Sequence, residues 1–284
     1  MSVAGDLETF RERVDEVVHS HPVVVDNTYT RWFAKGEATR AEVRHLAVQF
    51  SVFSHQFVVA SLRKVINAAD LETYRAGKEI LMNELGVVFR PPSAPMGQAG
   101  QAGQAGAARE DDGDIVDPDI VGTEGTVDGG RFRFSAGHFE WLVRFGAPLG
   151  LHFEDMGKRR HATPSTLFFC DELIRIYGSD DPSIAEGASY AVEHWAAAGF
   201  WKELIAGLRA FKVRECPELP LGFWTWHDKI EDQHAAHTAG ELTQAFETSG
   251  FDREKFLSGA AEMLDGVRAF WDGLWSDHVV GRAA

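Results

Sequence analysis

The sequence contains only two cysteines, Cys170 and Cys216, among its 284 residues. Two are too few for a disulfide scaffold, and their positions are too sparse for a thiolate zinc site. No run of about eighteen apolar residues occurs, so we expect no membrane-spanning helix and no membrane partner. The first residues lack the basic and apolar regions of a signal peptide, which predicts a cytoplasmic protein.

Positive charge is also scarce, because 28 lysines and arginines face 43 aspartates and glutamates, for a formal net charge of −15. A chain this acidic repels phosphate backbones, and it has no local basic patch that would compensate. We therefore exclude nucleic acid as a partner and expect a small-molecule substrate. Homodimerisation is left open.

Strand signals are few, since the short β-branched runs at 23–25 and 115–116 do not alternate with polar residues. Apolar residues instead recur at three- and four-residue spacing, as in amphipathic helices. The predicted helical segments are Thr39–Ala68, Leu71–Leu85, Phe132–Phe153, Leu167–Tyr177, Ile184–Lys212, Leu221–Phe246 and Arg253–Trp275. This pattern predicts an all-α bundle of about seven to nine helices, folded as a single domain over residues 1–284.

Residues 91–130 interrupt that pattern with a composition of their own. They hold nine of the 28 glycines, the tandem repeat QAGQAGQAG, eight acids and one arginine, but no aromatic residue. Such a segment buries too little apolar surface to offset the entropy of ordering it. We interpret it as a flexible acidic insertion within one domain, which acts as a lid or is simply tolerated.

Three candidate metal ligands lie in the run HDKIEDQH. His227, Glu231 and His234 are spaced i, i+4 and i+7, so a helix places them on one face. Imidazole and carboxylate donors suit iron, manganese or zinc. A solvated polar face is an equally good explanation for one such run, and one helix cannot close a metal site alone.

Further ligands must therefore come from facing helices. Glu193 is an acid in an otherwise small and apolar segment, where an unpaired carboxylate would be costly. Glu84 is likewise embedded among apolar positions, and His138 begins a strongly amphipathic segment. His194, beside Glu193, points about 100° away on a helix and is expected to be a surface or packing residue.

In this order these ligand types resemble those of the haem-oxygenase-like dimetal oxidases, whose fold is shared with TenA-type proteins. The matching pieces are NELG at Glu84, HFEWLVRFGAPLGL at His138, AVEHW at Glu193 and HDKIEDQH from His227. The stretch FAKGEATRAEVRHLAVQFSVFSHQF also resembles the first helices of that fold. Two features depart from the family pattern: Glu231 stands where aspartate is usual, and 54 residues separate Glu84 from His138.

The resemblance implies a haem-oxygenase-like fold and an enzyme that binds two iron ions, or manganese and iron, and uses O₂ as co-substrate. The reaction would be N-oxygenation, oxidative C–C cleavage or desaturation of a small organic molecule. One ion would be held mainly by Glu84, His138 and Glu193. The other would be held by His227, Glu231 and His234, with one carboxylate bridging the two.

Two alternatives on the same fold remain open. A metal-independent, thiaminase-like hydrolase would use a cysteine nucleophile, for which Cys170 is the candidate, although its apolar setting is typical of inert packing. A haem-binding protein would use His19, His21 or His45 as the axial ligand. The aromatic residues Phe200, Trp201, Phe223 and Trp224 suggest the wall of an apolar pocket, although aromatics at this spacing are more often core residues.

Overall fold

The computed structural model describes residues 3–90 and 131–283, without the side chains of residues 3–5, 88–90, 131–134, 230–241, 244 and 282–283. The insertion predicted at 91–130 lies outside the described residues. The described part is a bundle of α-helices with one short β-hairpin. Its elements are α1 (Val3–Val14), α2 (Pro22–Val25), α3 (Thr28–Phe33), α4 (Arg40–Ile66), α5 (Leu71–Glu84), β1 (Val87–Arg90), β2 (Arg131–Phe134), α6 (His138–Gly146), α7 (Pro164–Ile176), α8 (Pro182–Ala196), α9 (Phe200–Glu215), α10 (Gly222–Glu247) and α11 (Arg253–Ala283).

The all-α prediction is confirmed, with eleven α-helices in the described ranges rather than seven to nine. The difference comes largely from short helices near the N-terminus. The run Pro22–Val25, whose β-branched residues are a weak strand signal, forms a helical turn because His21 caps it and Pro22 begins it. The hairpin of β1 and β2 was not expected. No described helix is long and apolar enough to cross a membrane.

Side-chain caps fix where several of the long helices begin. Thr39 and Glu42 form a reciprocal capping box at the start of α4. Asp181 caps α8, where its carboxylate accepts the backbone N–H groups of Ser183 and Ile184 at 3.1 and 3.3 Å. These caps satisfy backbone donors that would otherwise lack a partner at the helix ends.

The centre of the bundle is filled by aromatic side chains from many helices. Phe50 of α4 packs against Trp224 of α10 with ring centres 4.8 Å apart, and Trp224 packs against Phe145 of α6 at 5.3 Å. Phe270 and Trp271 extend the cluster along α11. Burying such large rings supplies most of the driving force for folding and fixes the helices that surround the site.

Helices α8 and α11 pack with their backbones in close contact, and glycines make this possible. A Cβ atom on Gly187 of α8 would lie 2.0 Å from the carbonyl oxygen of Phe256 on α11. A Cβ atom on Gly259 of α11 would lie 2.4 Å from the carbonyl oxygen of Ile184 on α8. The pair therefore sets the position of α8, the helix that carries Glu193.

Candidate functional site

Glu84 and His138 meet inside the protein although 54 residues separate them. Glu84 ends α5 and His138 begins α6, and the two strands between these positions pair antiparallel from Val87↔Phe134 to Arg90↔Arg131. The antiparallel pairing of β1 and β2 thus brings the start of α6 close to the end of α5. Glu84 Oε1 lies 3.0 Å from His138 Nδ1, and the two side chains are only 12% and 9% exposed.

The turn that starts the hairpin depends on Gly86. Its φ is +67°, and a Cβ atom there would lie 2.3 Å from the carbonyl oxygen of Ser135. The backbone N–H of Ser135 donates to the Gly86 carbonyl at 2.8 Å, which holds the two sides of the hairpin together. The long separation of Glu84 and His138 is therefore compatible with one site.

His227 of α10 lies beside this pair. Its ring centre is 4.8 Å from that of His138, with the planes at 66°. Its Nδ1 lies 2.6 Å from the carbonyl oxygen of Phe223, which can only accept, so Nδ1 carries a proton and Nε2 is the nitrogen that can bind a metal ion. Metal-binding histidines are commonly oriented in this way by a backbone carbonyl.

The separation of the two rings fits a shared metal ion. Imidazole nitrogens lie about 2.0–2.1 Å from zinc, so two rings on one such ion have centres about 4.5–5.2 Å apart at angles near 90–110°. Glu84 adds a carboxylate at hydrogen-bond distance from His138. One carboxylate and two imidazoles are a donor set that suits iron, manganese or zinc. These residues are therefore of the donor types that the metal implied by the resemblance would need.

Aromatic rings surround His227 and His138. Trp201 stacks on His227 with ring centres 4.8 Å apart, Phe223 lies 4.3 Å from His227, and Trp226 lies 4.9 Å from His138. The indole N–H of Trp201 is buried and has no hydrogen-bond partner among the described residues. Of the aromatic residues singled out from the sequence, Trp201 and Phe223 line this site, whereas Phe200 and Trp224 pack in the core. His138 is buried and His227 half-buried, and the described rings around them are apolar.

Glu193 is half-buried on α8 and lies within electrostatic range of the buried Tyr177. Burial raises the pKa of Tyr177, and the carboxylates of Glu193 and Glu84 raise it further while the Lys64 ammonium lowers it. Glu84 and Glu193 therefore approach the same buried tyrosine from two helices.

Lys64 was not among the residues predicted from the sequence. It is 9% exposed, donates to Ser189 Oγ at 2.6 Å, and its Nζ lies 4.7 Å from the centre of the Tyr177 ring. Such a buried ammonium is stable only with compensating partners. Its presence beside Tyr177 shows that the interior near α8 holds charges of both signs.

Glu231 and His234 lie outside the described side chains. The backbone around them is confirmed as helix α10, which is continuous with His227. Among the described residues, no group of three or more histidine, cysteine, aspartate or glutamate side chains is arranged to hold a metal ion. What the structure brings together is thus the Glu84–His138 pair with His227 next to it.

The residues considered for a haem-binding protein or a cysteine-dependent hydrolase have surroundings unlike those of Glu84, His138 and His227. His19, His21 and His45 lie 2.7, 3.4 and 3.0 Å from the carboxylates of Asp15, Asp265 and Asp277 respectively. Cys170 is fully buried, and burial raises its pKa to about 12, which keeps the thiol protonated.

No protein-family model and no curated protein matches this chain. Solved structures, in contrast, match this chain. A domain of unknown function with a haem oxygenase-like fold from Shewanella denitrificans OS217 matches with a TM-score of 0.57 and 14% identity, over 99% of this chain and 95% of that one. A TenA homolog from Pseudomonas syringae pv. tomato str. DC3000 matches with a TM-score of 0.59 and 11% identity, over 94% and 92%. This chain therefore has the haem-oxygenase-like fold that TenA homologs share, as the sequence resemblance predicted.

Proposed function

We propose that this protein is a non-haem di-iron oxidase or oxygenase that uses O₂ to oxidise a small organic substrate. The observation that carries the proposal is the meeting of Glu84, His138 and His227 from three helices within an aromatic surround. The proposed ligands are Glu84, His138, Glu193, His227, Glu231 and His234. When bound, iron would supply the redox chemistry, and a manganese–iron pair would use the same donors.

The protein's own contribution is to orient these donors and to keep water away from them. The Phe223 carbonyl fixes the ring of His227, and Trp201 stacks on that ring. An apolar surround strengthens electrostatic interactions at the site and protects a reactive centre from solvent. The buried indole N–H of Trp201, which has no hydrogen-bond partner among the described residues, is the donor that we assign to a polar atom of the substrate.

A thiaminase-like hydrolase is the competing function, since the fold is shared with a TenA homolog. That function requires a reactive thiolate if it proceeds through cysteine. Cys170 and Cys216 are both fully buried, and burial raises the pKa of each. The described cysteines therefore favour the metal-dependent proposal over a cysteine-dependent one.

Metal loading tests the proposal directly. Metal-free protein is titrated anaerobically with Fe(II), the iron content is measured, and an O₂ pulse is followed by visible absorbance. We expect about two iron ions per chain, as in other carboxylate-bridged centres, and a transient charge-transfer band. Glu84→Gln keeps the shape of the side chain but removes its charge, so it should lose at least one ion.

Glu79→Gln is the matched control, because Glu79 lies on the same helix and is exposed to solvent. It should bind iron as the wild type does. Absence of Fe(II) binding by the wild-type protein would refute the proposal. Full loading of a folded Glu84→Gln variant would remove Glu84 from the site and, with it, the geometry on which the proposal rests.

A further inference from the structure

A second pair of histidines lies outside the candidate site, where the chain after α1 meets α8. His19 ends a five-residue π-helical turn, Asp15–His19, and His194 lies near the end of α8. Their ring centres are 4.7 Å apart, with the planes at 36°. Single π-helical turns are rare and frequently mark functional positions.

Each ring of this pair has one nitrogen engaged by an acceptor. His19 Nδ1 lies 2.7 Å from Asp15 Oδ1, and His194 Nδ1 lies 2.8 Å from the carbonyl oxygen of Tyr190. A carboxylate and a carbonyl can only accept, so both Nδ1 atoms carry protons and Nε2 is the nitrogen of each ring that can bind a metal ion. The carbonyl oxygen of Phe223 orients the ring of His227 in the same way in the candidate site.

The spacing of the rings also matches that of two imidazoles on one ion. Their separation of 4.7 Å falls within the range of about 4.5–5.2 Å expected for two rings that share a metal. Tyr190 stacks on His194 with ring centres 4.0 Å apart, which limits the rotation of that ring.

Charge and access favour a cation at this position. The side chain of His19 is 43% exposed, so an ion can reach it from solvent. The carboxylate of Asp15 lies within electrostatic range of both His194 and Tyr190. Imidazole is a preferred ligand of nickel, copper and zinc.

We propose that His19 and His194 form a second metal site, which takes a nickel, copper or zinc ion and is completed by water. The bound ion would join the π-helical turn to α8 at the residue next to Glu193. The site has two protein ligands, so water fills the remaining coordination positions. It does not depend on the di-iron proposal.

Nickel binding tests this site. Tag-free, metal-stripped protein carrying Glu84→Gln is titrated with Ni(II) by calorimetry, and thermal melts are recorded with and without the metal. In that background, His19→Gln and His194→Gln should each weaken the binding of one ion at least tenfold and abolish its thermal shift. The double variant should lose no more than either single variant, because both histidines hold the same ion.

His45→Gln is the matched control, since His45 also pairs with an aspartate, Asp277, at 3.0 Å. It should bind Ni(II) unchanged. Unchanged binding in both His19→Gln and His194→Gln, or no Ni(II) binding in the parent, would overturn the proposal and leave the rings as a packing stack. Failure of iron loading at the interior site would leave this result unaffected, so the two proposals fail separately.

Discussion

The glycine contact between α8 and α11 gives a sharp test of the packing that positions Glu193. Alanine at position 259 would place Cβ 2.4 Å from the carbonyl oxygen and 3.0 Å from the Cα atom of Ile184. Both atoms belong to the backbone, so no side chain can rotate away and the helices must separate by about 1 Å. Overpacking of this kind costs about 1–3 kcal/mol, which offsets or exceeds the gain of about 1 kcal/mol from the better helix propensity of alanine.

Gly266 provides the control within the same helix. Alanine there would meet side-chain atoms of Phe169 and Glu172 at 3.3 and 3.4 Å, and these can yield by a few tenths of an ångström. Since the propensity gain is equal at the two positions, the comparison isolates the backbone clash. We expect Gly266→Ala to remain within about 1 kcal/mol of the wild-type free energy of unfolding, and Gly259→Ala to lie about 1–3 kcal/mol below Gly266→Ala.

Urea denaturation followed by far-UV circular dichroism and tryptophan fluorescence measures both variants. Equal m-values would show that the same surface is exposed on unfolding, so that midpoints report stability. If Gly259→Ala were as stable as Gly266→Ala, then the close approach of α8 and α11 would be wrong, and with it the placement of Glu193.

Two further predictions concern a buried thiol and a helix cap. Because burial raises the pKa of Cys170 to about 12, its thiol is protonated at pH 8, and iodoacetamide should label it only after unfolding. Rapid labelling of the native protein would instead support a cysteine-dependent hydrolase. The hydrogen bond from Lys255 lowers the pKa of Asp181 in the folded state, so this carboxylate stabilises α8 above its ordinary pKa near 3.8, and the stabilisation is lost as the pH falls through the depressed value. Asp181→Ala should therefore cost about 1 kcal/mol at pH 7 and progressively less as the pH falls below 3.8 in urea titrations. A cost that does not change with pH would contradict the role of the charge.

The helices were predictable from the sequence because their apolar positions recur at helical spacing and their starts carry caps. The hairpin was not predicted, because the residues after Gly130 were assigned to one helix that ran from Phe132 to Phe153. The alternation Arg131, Phe132, Arg133, Phe134 was the available strand signal. The predicted helix over 184–212 is also divided in two, since Gly199 adopts a φ of +90° between α8 and α9.

The candidate site was predicted unevenly for a physical reason. Glu84 could be singled out by its apolar sequence context, His138 because it begins a strongly amphipathic segment, and His227 by its helical spacing from Glu231 and His234. The structure brings these three together. Lys64 was missed because a lysine on a long amphipathic helix normally reaches solvent. Lys64 follows Phe57 by seven residues, which places both on the same face of the helix, and this spacing was the only hint that Lys64 points inward. Burial of a single polar residue is decided by the helices packed around it, which local spacing does not encode.

The interior charges connect the proposed metal centre to the stability of the fold. Glu84 is 12% exposed, Glu193 is half-buried, and both lie within electrostatic range of Tyr177. Buried carboxylates are costly unless they are paired, and the Lys64 ammonium supplies positive charge near Tyr177. Divalent ions held between Glu84, His138 and His227 would supply the remaining positive charge. Because such ions bind only the folded chain, their binding energy would add to the free energy of unfolding. The stability of the folded state would therefore depend on how the charges of the proposed metal ligands are balanced.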